Sequence, residues 1–218
     1  MVKRLFDLLA SSLGLLLLAP LFLVLAILIR LDSSGPVFFR QERVGRAGKF
    51  FRIHKFRTMV TDADRRGSQI TVGADPRITR VGRWLRSTKL DELPQLLDVW
   101  IGNMSLVGPR PEVPRYVLFY PPETRDLILS VRPGITDWAS IEFKDESQVL
   151  GRASDPHISY VHEILPVKCK YYLDYVRERS FWGDILIIFA TFRALAIKVM
   201  LSGRPLLKNC LPVCRPKG

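Results

Sequence analysis

The chain has 218 residues, 48% hydrophobic and 25% charged, which excludes a disordered chain and leaves one ordinary domain, or a smaller one with membrane elements attached. Its formal net charge of +12 is concentrated, because Arg40 to Lys89 holds fourteen Lys/Arg against four acids; an anionic partner is expected, whether nucleic acid, a phosphorylated substrate or lipid headgroups. Three cysteines, Cys169, Cys210 and Cys214, form no even disulfide framework and suit a reducing compartment.

From Leu8 to Ile29 the chain runs for 22 residues without a charge, between Lys3/Arg4 and Arg30, and is long and apolar enough to enter a bilayer. The run exceeds the apolar part of a secretory leader, and the "RLDSSGP" that follows lacks a small-residue cleavage pattern. Pro20, near its middle, removes one helical hydrogen bond and crowds the preceding turn, so a kink or break is expected there. Two geometries follow: a kinked helix that spans, or a break that lets the segment dip in and return to the same side. Basic residues at both ends deny a spanning helix its charge asymmetry and favour the re-entrant form.

Next, Val37 to Arg43 and Lys49 to Met59 are rich in aromatic and β-branched residues around "GRAG", a hairpin pattern. Basic residues interleave with phenylalanines, as in a nucleic-acid-binding ribbon; the alternative, favoured beside a membrane segment, is an amphipathic hairpin with Phe inward and Arg in water. A polar loop leads to "PRITRVGRWLRSTK", where Ile78, Val81 and Leu85 recur at helical spacing and Arg77, Arg80, Arg83 and Arg86 form a broad basic face. That face suits water or anionic headgroups.

Asp91 and Glu92 close this basic run. They fit first-turn acids of a helix beginning near Thr88, with Pro94 tolerated in that turn. They also stand just before "GNMSLVGPRP", a loop that fixes Arg110 between two prolines and suits bidentate phosphate recognition. Among the remaining features, His54, His157 and His162 lack metal-ligand spacing, and Cys210 and Cys214 in a basic tail make a poor zinc site. "SFWGDILIIFATFRALAIKVML" is apolar but carries Asp184, Arg193 and Lys198, which favours an interfacial amphipathic helix over a second span and leaves a buried core helix as the alternative.

Four segments in order, "KFRTM" (Lys55 to Met59), "RITRVGRWLRSTKLDELPQLLDV" (Arg77 to Val99), "GNMSLVGPRP" (Gly102 to Pro111) and "VRPGIT" (Val131 to Thr136), resemble the bacterial sugar transferase family, the monotopic phosphoglycosyl transferases. The similarity runs from Lys3 to about Val199. It implies transfer of a phosphosugar from a nucleotide diphosphate sugar, usually a UDP-sugar, to a polyprenyl phosphate, with Mg²⁺. It also implies a re-entrant helix broken at a proline, matched by Pro20, although Ala19 stands where the family often has Ser. On this resemblance Asp91 is the nucleophile that forms a phosphosugar intermediate and releases UMP, and Glu92 handles metal or protons, the pair being the expected metal ligands. Lys55, Arg57, Arg86, Arg110 and Arg132 are the expected phosphate contacts. Two departures, Asp137 after "RPGIT" and Tyr172 where the family often has Asp, fall in the region expected to select the sugar.

The expected fold is α+β and mainly α: a re-entrant membrane helix over 1–33, a catalytic domain over 34–200 with a small β-hairpin and interfacial helices, and a basic tail over 201–218. The resemblance places it as a monotopic protein of the bacterial inner membrane with its catalytic domain facing the cytoplasm. Expected partners are the UDP-sugar, polyprenyl phosphate and membrane lipids, with no nucleic acid; a homo-oligomer is left open. The step would be the first membrane reaction of glycoconjugate assembly. Two rivals are a membrane-anchored basic adaptor without catalysis, which binds lipid or nucleic acid, and a glycosyl transferase that releases UDP.

Overall fold

A computed structural model describes residues 2–63, 71–73 and 75–202. The expected tail, with Cys210 and Cys214, lies outside the described residues from 203 onward. The fold is mostly helical with small sheets, as expected. Helix α1 (Val2–Asp32) is 31 residues long and, among the described residues, the one helix long and apolar enough to cross a membrane. It continues through Pro20, so the break expected there is not an interruption of the helix. The proline withdraws one backbone donor, while leucine-rich turns on either side propagate the helix.

Burial on α1 is confined to its two ends, at Asp7 and Ser11 and again at Leu25 and Ile29. Between them Leu16, Leu17 and Leu23 are largely exposed. Both ends pack on the same body. Near the start, Arg4 donates to the Val99 and Trp100 carbonyls. At the finish, Asp32 accepts from the Val81 backbone N–H, and Leu25 and Ile29 join Phe56 and Leu85 in one cluster.

Strands β1 (Phe38–Val44) and β2 (Phe50–Phe56) form the expected hairpin, antiparallel, with Phe38 opposite Phe56 and Val44 opposite Phe50. Exposure alternates along β1, which turns Phe39, Gln41 and Arg43 inward. The anticipated division is therefore mixed: Arg43 faces in, whereas Phe38 and Phe50 stay open.

Helix α2 (Arg80–Thr88) starts at Thr79, whose hydroxyl accepts from the Gly82 N–H, and ends at Lys89, which is left-handed at φ 60°. The helix start anticipated at Thr88 is thus a helix end, because the Lys89 N–H returns to the Arg86 and Leu85 carbonyls. A single 3₁₀ turn, Leu90–Glu92, then carries both acids into α3 (Gln95–Ile101). Helix α1 crosses α3 closely, since a Cβ on Gly14 would lie 3.1 Å from Leu96 Cδ1.

Strand β3 (Ser105–Val107) leads into the GPRP loop and the short helices α4 (Pro114–Val117) and α5 (Pro122–Ile128). It pairs in parallel with β4 (Gly134–Thr136), from the "VRPGIT" segment. The approach requires glycine: a Cβ on Gly134 would stand 2.1 Å from the Gly108 nitrogen. Helices α6 (Trp138–Glu142), α7 (Glu146–Leu150) and α8 (Pro156–Ser159) precede α9 (Leu165–Glu178), which α8 reaches through a π turn at Tyr160–Ile164. Tyr172, Leu150 and Leu165 centre the larger core. Helix α10 (Phe181–Ser202) turns Asp184 and Ile187 inward and leaves Trp182, Phe189 and Phe192 mostly exposed.

Candidate active site

Four separate elements converge on the acid pair. The 3₁₀ turn presents Asp91 and Glu92, β2 supplies Lys55, the loop after β3 supplies Arg110, and α2 supplies Arg86. Arg110 clasps Glu92 with two bonds, Nη1 to Oε2 at 3.0 Å and Nη2 to Oε1 at 2.5 Å. Lys55 Nζ adds a third, to Oε1 at 3.0 Å. Neither acid caps α3 through its side chain. Asp91 is 7% exposed and its Oδ1 is buried without a hydrogen-bond partner. Leaving such an acceptor unsatisfied costs about 1–3 kcal/mol, so the turn retains an unpartnered carboxylate oxygen at the expense of stability.

The two acids are held in opposite electrostatic states. Burial, then repulsion from Glu92, pushes the Asp91 carboxyl up, against Lys55, Lys89 and Arg86. Burial would raise Glu92 as well, but Arg110, Lys55 and Lys89 outweigh it and hold that carboxyl well below the usual range. Arg110 rises well above its ordinary value beside Glu92. Burial lowers Lys55 to about 8 in spite of Glu92. Neighbouring carboxylates with divided titrations are a pattern of acid–base and nucleophilic sites.

Arg86 is half-buried, and desolvation lowers it; it donates to Thr58 Oγ1 at 2.8 Å and Thr71 Oγ1 at 2.9 Å, with its charge favouring ionised Asp91. Arg57 and Arg132 are placed differently. Arg57 donates to the Ser33 and Ser34 carbonyls at 2.6 and 2.7 Å, closing the end of α1. Arg132 Nε donates to the Gly102 carbonyl at 2.9 Å, at the end of α3. Arg77, part of the expected basic face, lies before α2 and is gripped by Asp75, Nη2 to Oδ2 at 2.6 Å.

Arg43 escapes notice in the sequence, although it shares with Phe39 and Gln41 the face of β1 that turns inward. It is half-buried, donates to the Pro111 carbonyl at 3.0 Å and Gln41 Oε1 at 2.6 Å, and senses Arg110 and Glu92 electrostatically. Period-2 alternation was the available signal. His54 and Asp98 were equally unremarkable: the His54 ring and backbone N–H each meet the buried Asp98 carboxylate at 2.8 Å, tying β2 to α3. Asp137 and Tyr172, the two family departures, are both buried, and burial raises both groups; the Asp137 carboxylate accepts from the Ser140 N–H and hydroxyl at the start of α6.

No group of three or more His, Cys, Asp or Glu comes together among the described residues, so a metal here would lean on substrate oxygens. The donor chemistry fits Mg²⁺ at Asp91, whose buried Oδ1 has no hydrogen-bond partner, better than at Glu92, whose oxygens are both engaged by cations.

Comparison with known proteins identifies the family. The family described as bacterial sugar transferase matches residues 1–198. The chain is 39% identical over 196 residues to a UDP-N-acetylgalactosamine-undecaprenyl-phosphate N-acetylgalactosaminephosphotransferase of Aeromonas hydrophila, covering 89% of this chain and 43% of the relative. It is 43% identical over 197 residues to an undecaprenyl-phosphate glucose phosphotransferase of Komagataeibacter xylinus, covering 88% and 35%. Over 195 residues it is 40% identical to a UDP-glucose:undecaprenyl-phosphate glucose-1-phosphate transferase of Escherichia coli K12, covering 88% and 39%. The chain therefore spans less than half the length of these three relatives. With a family match across nearly its whole length and its acids, GPRP arginine and lysine drawn together, this chain belongs to the bacterial sugar transferase family.

Proposed function

We propose that the protein transfers a sugar phosphate from a UDP-sugar to a polyprenyl phosphate through a covalent intermediate on Asp91. The observation that carries this reading is the buried, unpartnered Oδ1 of Asp91 beside a Glu92 locked to Arg110 and Lys55. An Asp91 oxygen attacks the β-phosphorus, the bond from that phosphorus to the bridging oxygen breaks, and UMP leaves with the electron pair. An oxygen of the polyprenyl phosphate then attacks the same phosphorus and releases the Asp91 carboxylate. Arg110 and Lys55 neutralise the diphosphate as it approaches, and Glu92 holds both cations oriented until then. Asp91 would hold Mg²⁺, which when bound would supply further charge neutralisation.

The membrane part of the proposal is a re-entrant α1 with both ends on the cytoplasmic side of the inner membrane. Support comes from Arg4 at one end and Asp32 at the other, each bonded to the same catalytic body. Exposed leucines in the middle of α1 and the aromatic outer face of α10 supply the apolar surface that lipid would cover. The names of the relatives support the polyprenyl acceptor and the UDP-linked donor. Exopolysaccharide or a related glycan is the proposed destination, in keeping with a 54% identical stretch of 110 residues shared with an exopolysaccharide production protein of Rhizobium leguminosarum.

The nucleotide product tests the reading. UMP is expected; UDP would mean transfer of the sugar without its phosphate, and no nucleotide release with salt-sensitive anion binding would mean a basic adaptor.

A further inference from the structure

Strand β3 is three residues long, has β4 as its one strand partner among the described residues, and runs directly into the loop that carries Arg110. A ladder this short does not hold its own register. Its other edge is completed by side chains from the first turns of α1. Ser105 Oγ donates to Asp7 Oδ2 at 2.8 Å, and the Leu106 backbone N–H donates to Asp7 Oδ1 at 3.1 Å. Lys3 Nζ donates to the Val107 carbonyl at 3.1 Å, joined there by the Tyr175 hydroxyl at 3.0 Å. Lys3 and Tyr175 meet a second time at Asp184 of α10.

Asp7 is 2% exposed. Anchoring alone does not call for a buried carboxylate in an apolar helix, where a leucine would serve better. Both of its oxygens are instead spent on β3. From that point the chain reaches Gly108, whose N–H donates to the Thr136 carbonyl at 3.1 Å, and then Arg110. We propose that Asp7, backed by Lys3, is a positioning residue for Arg110: the start of the membrane helix serves as the missing edge of the β3–β4 ladder and sets where the GPRP loop stands. The activity arm of its test rests on the proposed transfer reaction; the structural arm does not.

Both contacts require an acceptor. Asp7→Asn keeps the size but offers an NH₂ to one of two donors, so one bond is lost and the edge loosens. The test uses the full chain in native membranes, with amide hydrogen exchange and turnover measured together. Asp7→Asn is expected to speed exchange at Leu106 about tenfold and to lower turnover about tenfold, leaving hairpin amides and the membrane-bound fraction unchanged. Ser105→Ala, which removes one donor from the other side, is expected to move both readouts the same way by about threefold. If Asp7 acts through Arg110, adding Asp7→Asn to Arg110→Lys lowers turnover by less than about threefold further. Unchanged Leu106 exchange, fully multiplicative losses in the double variant, or a loss matched by release from the membrane would each overturn the proposal. A wild-type chain that releases no nucleotide would defeat the proposed reaction, while the exchange comparison would still decide the role of Asp7.

Discussion

Arg110 holds Glu92 through both terminal guanidinium nitrogens, at 3.0 and 2.5 Å, while the adjacent Asp91 keeps its buried Oδ1 free of any hydrogen-bond partner. The chain thus commits one acid of the pair to binding cations and reserves the other. Asp91→Asn is expected to abolish a protein-bound label from a UDP-sugar labelled in the sugar or β-phosphate, because an amide does not replace the nucleophile. Glu92→Gln is expected to lose about 10²-fold or more in turnover yet still trap a trace of label, since it frees Arg110 and Lys55 without removing the Asp91 oxygen. A labelled Asp91→Asn protein would remove the covalent mechanism.

Lysine at position 110 keeps the charge but loses the fork that spans both Glu92 oxygens. Arg110→Lys should lower turnover by about 10²-fold. The comparison substitution is Arg83→Lys, on the exposed side of α2, which should stay within about twofold. Arg77 would be a poor control because Asp75 grips it. Equal losses at positions 110 and 83 would contradict the phosphate role of Arg110.

The pH dependence of kcat/KM follows from two displaced titrations. Asp91 must be ionised to attack, and burial raises its carboxyl, so activity is lost as pH falls through a value above the usual ~4. Lys55 must be charged to face the diphosphate and is lowered to about 8, so activity is lost again as pH rises past that point. The expected profile is a bell. Lys55→Arg should move the alkaline limb upward and leave the acid limb in place; an unmoved alkaline limb would assign it to another group.

Topology is open to direct labelling. Val2 and Leu31 sit at opposite ends of α1, 67% and 80% exposed. With the native cysteines replaced, cysteines placed at these two positions should react from the same face of a sealed vesicle. Opposite-face labelling would establish a spanning helix.

The packing of α1 on the hairpin is also measurable. Leu85 is fully buried among Leu25, Ile29 and Phe56. Leu85→Ala should destabilise the protein by about 2–5 kcal/mol in denaturant unfolding, with Trp84→Ala, its exposed neighbour, changing stability far less.

The sequence disclosed elements whose signal is periodic or compositional: the apolar N-terminal helix, the hairpin and the run containing α2. It also disclosed the acids and Arg110, since a proline on either side of a guanidinium is informative without any tertiary context. Contacts that arise only on folding were hidden. The β3–β4 ladder has three residues per strand, too few for alternation to register. Arg57 and Arg132 have the right chemistry for phosphate but are occupied by carbonyls at the ends of α1 and α3, and nothing local foretells that a helix end will arrive there. Arg43 was legible in principle from the β1 alternation, and the surrounding arginines obscured it.

Because both ends of α1 are bolted to one body, no flexible tether separates the apolar helix from the chemistry. In the proposed topology the length of helix between those fastenings acts as a depth gauge, fixing how far Asp91 stands from the bilayer surface. A long-chain lipid phosphate confined to the headgroup layer then meets the site at a set height, and its search is reduced to sliding sideways in two dimensions.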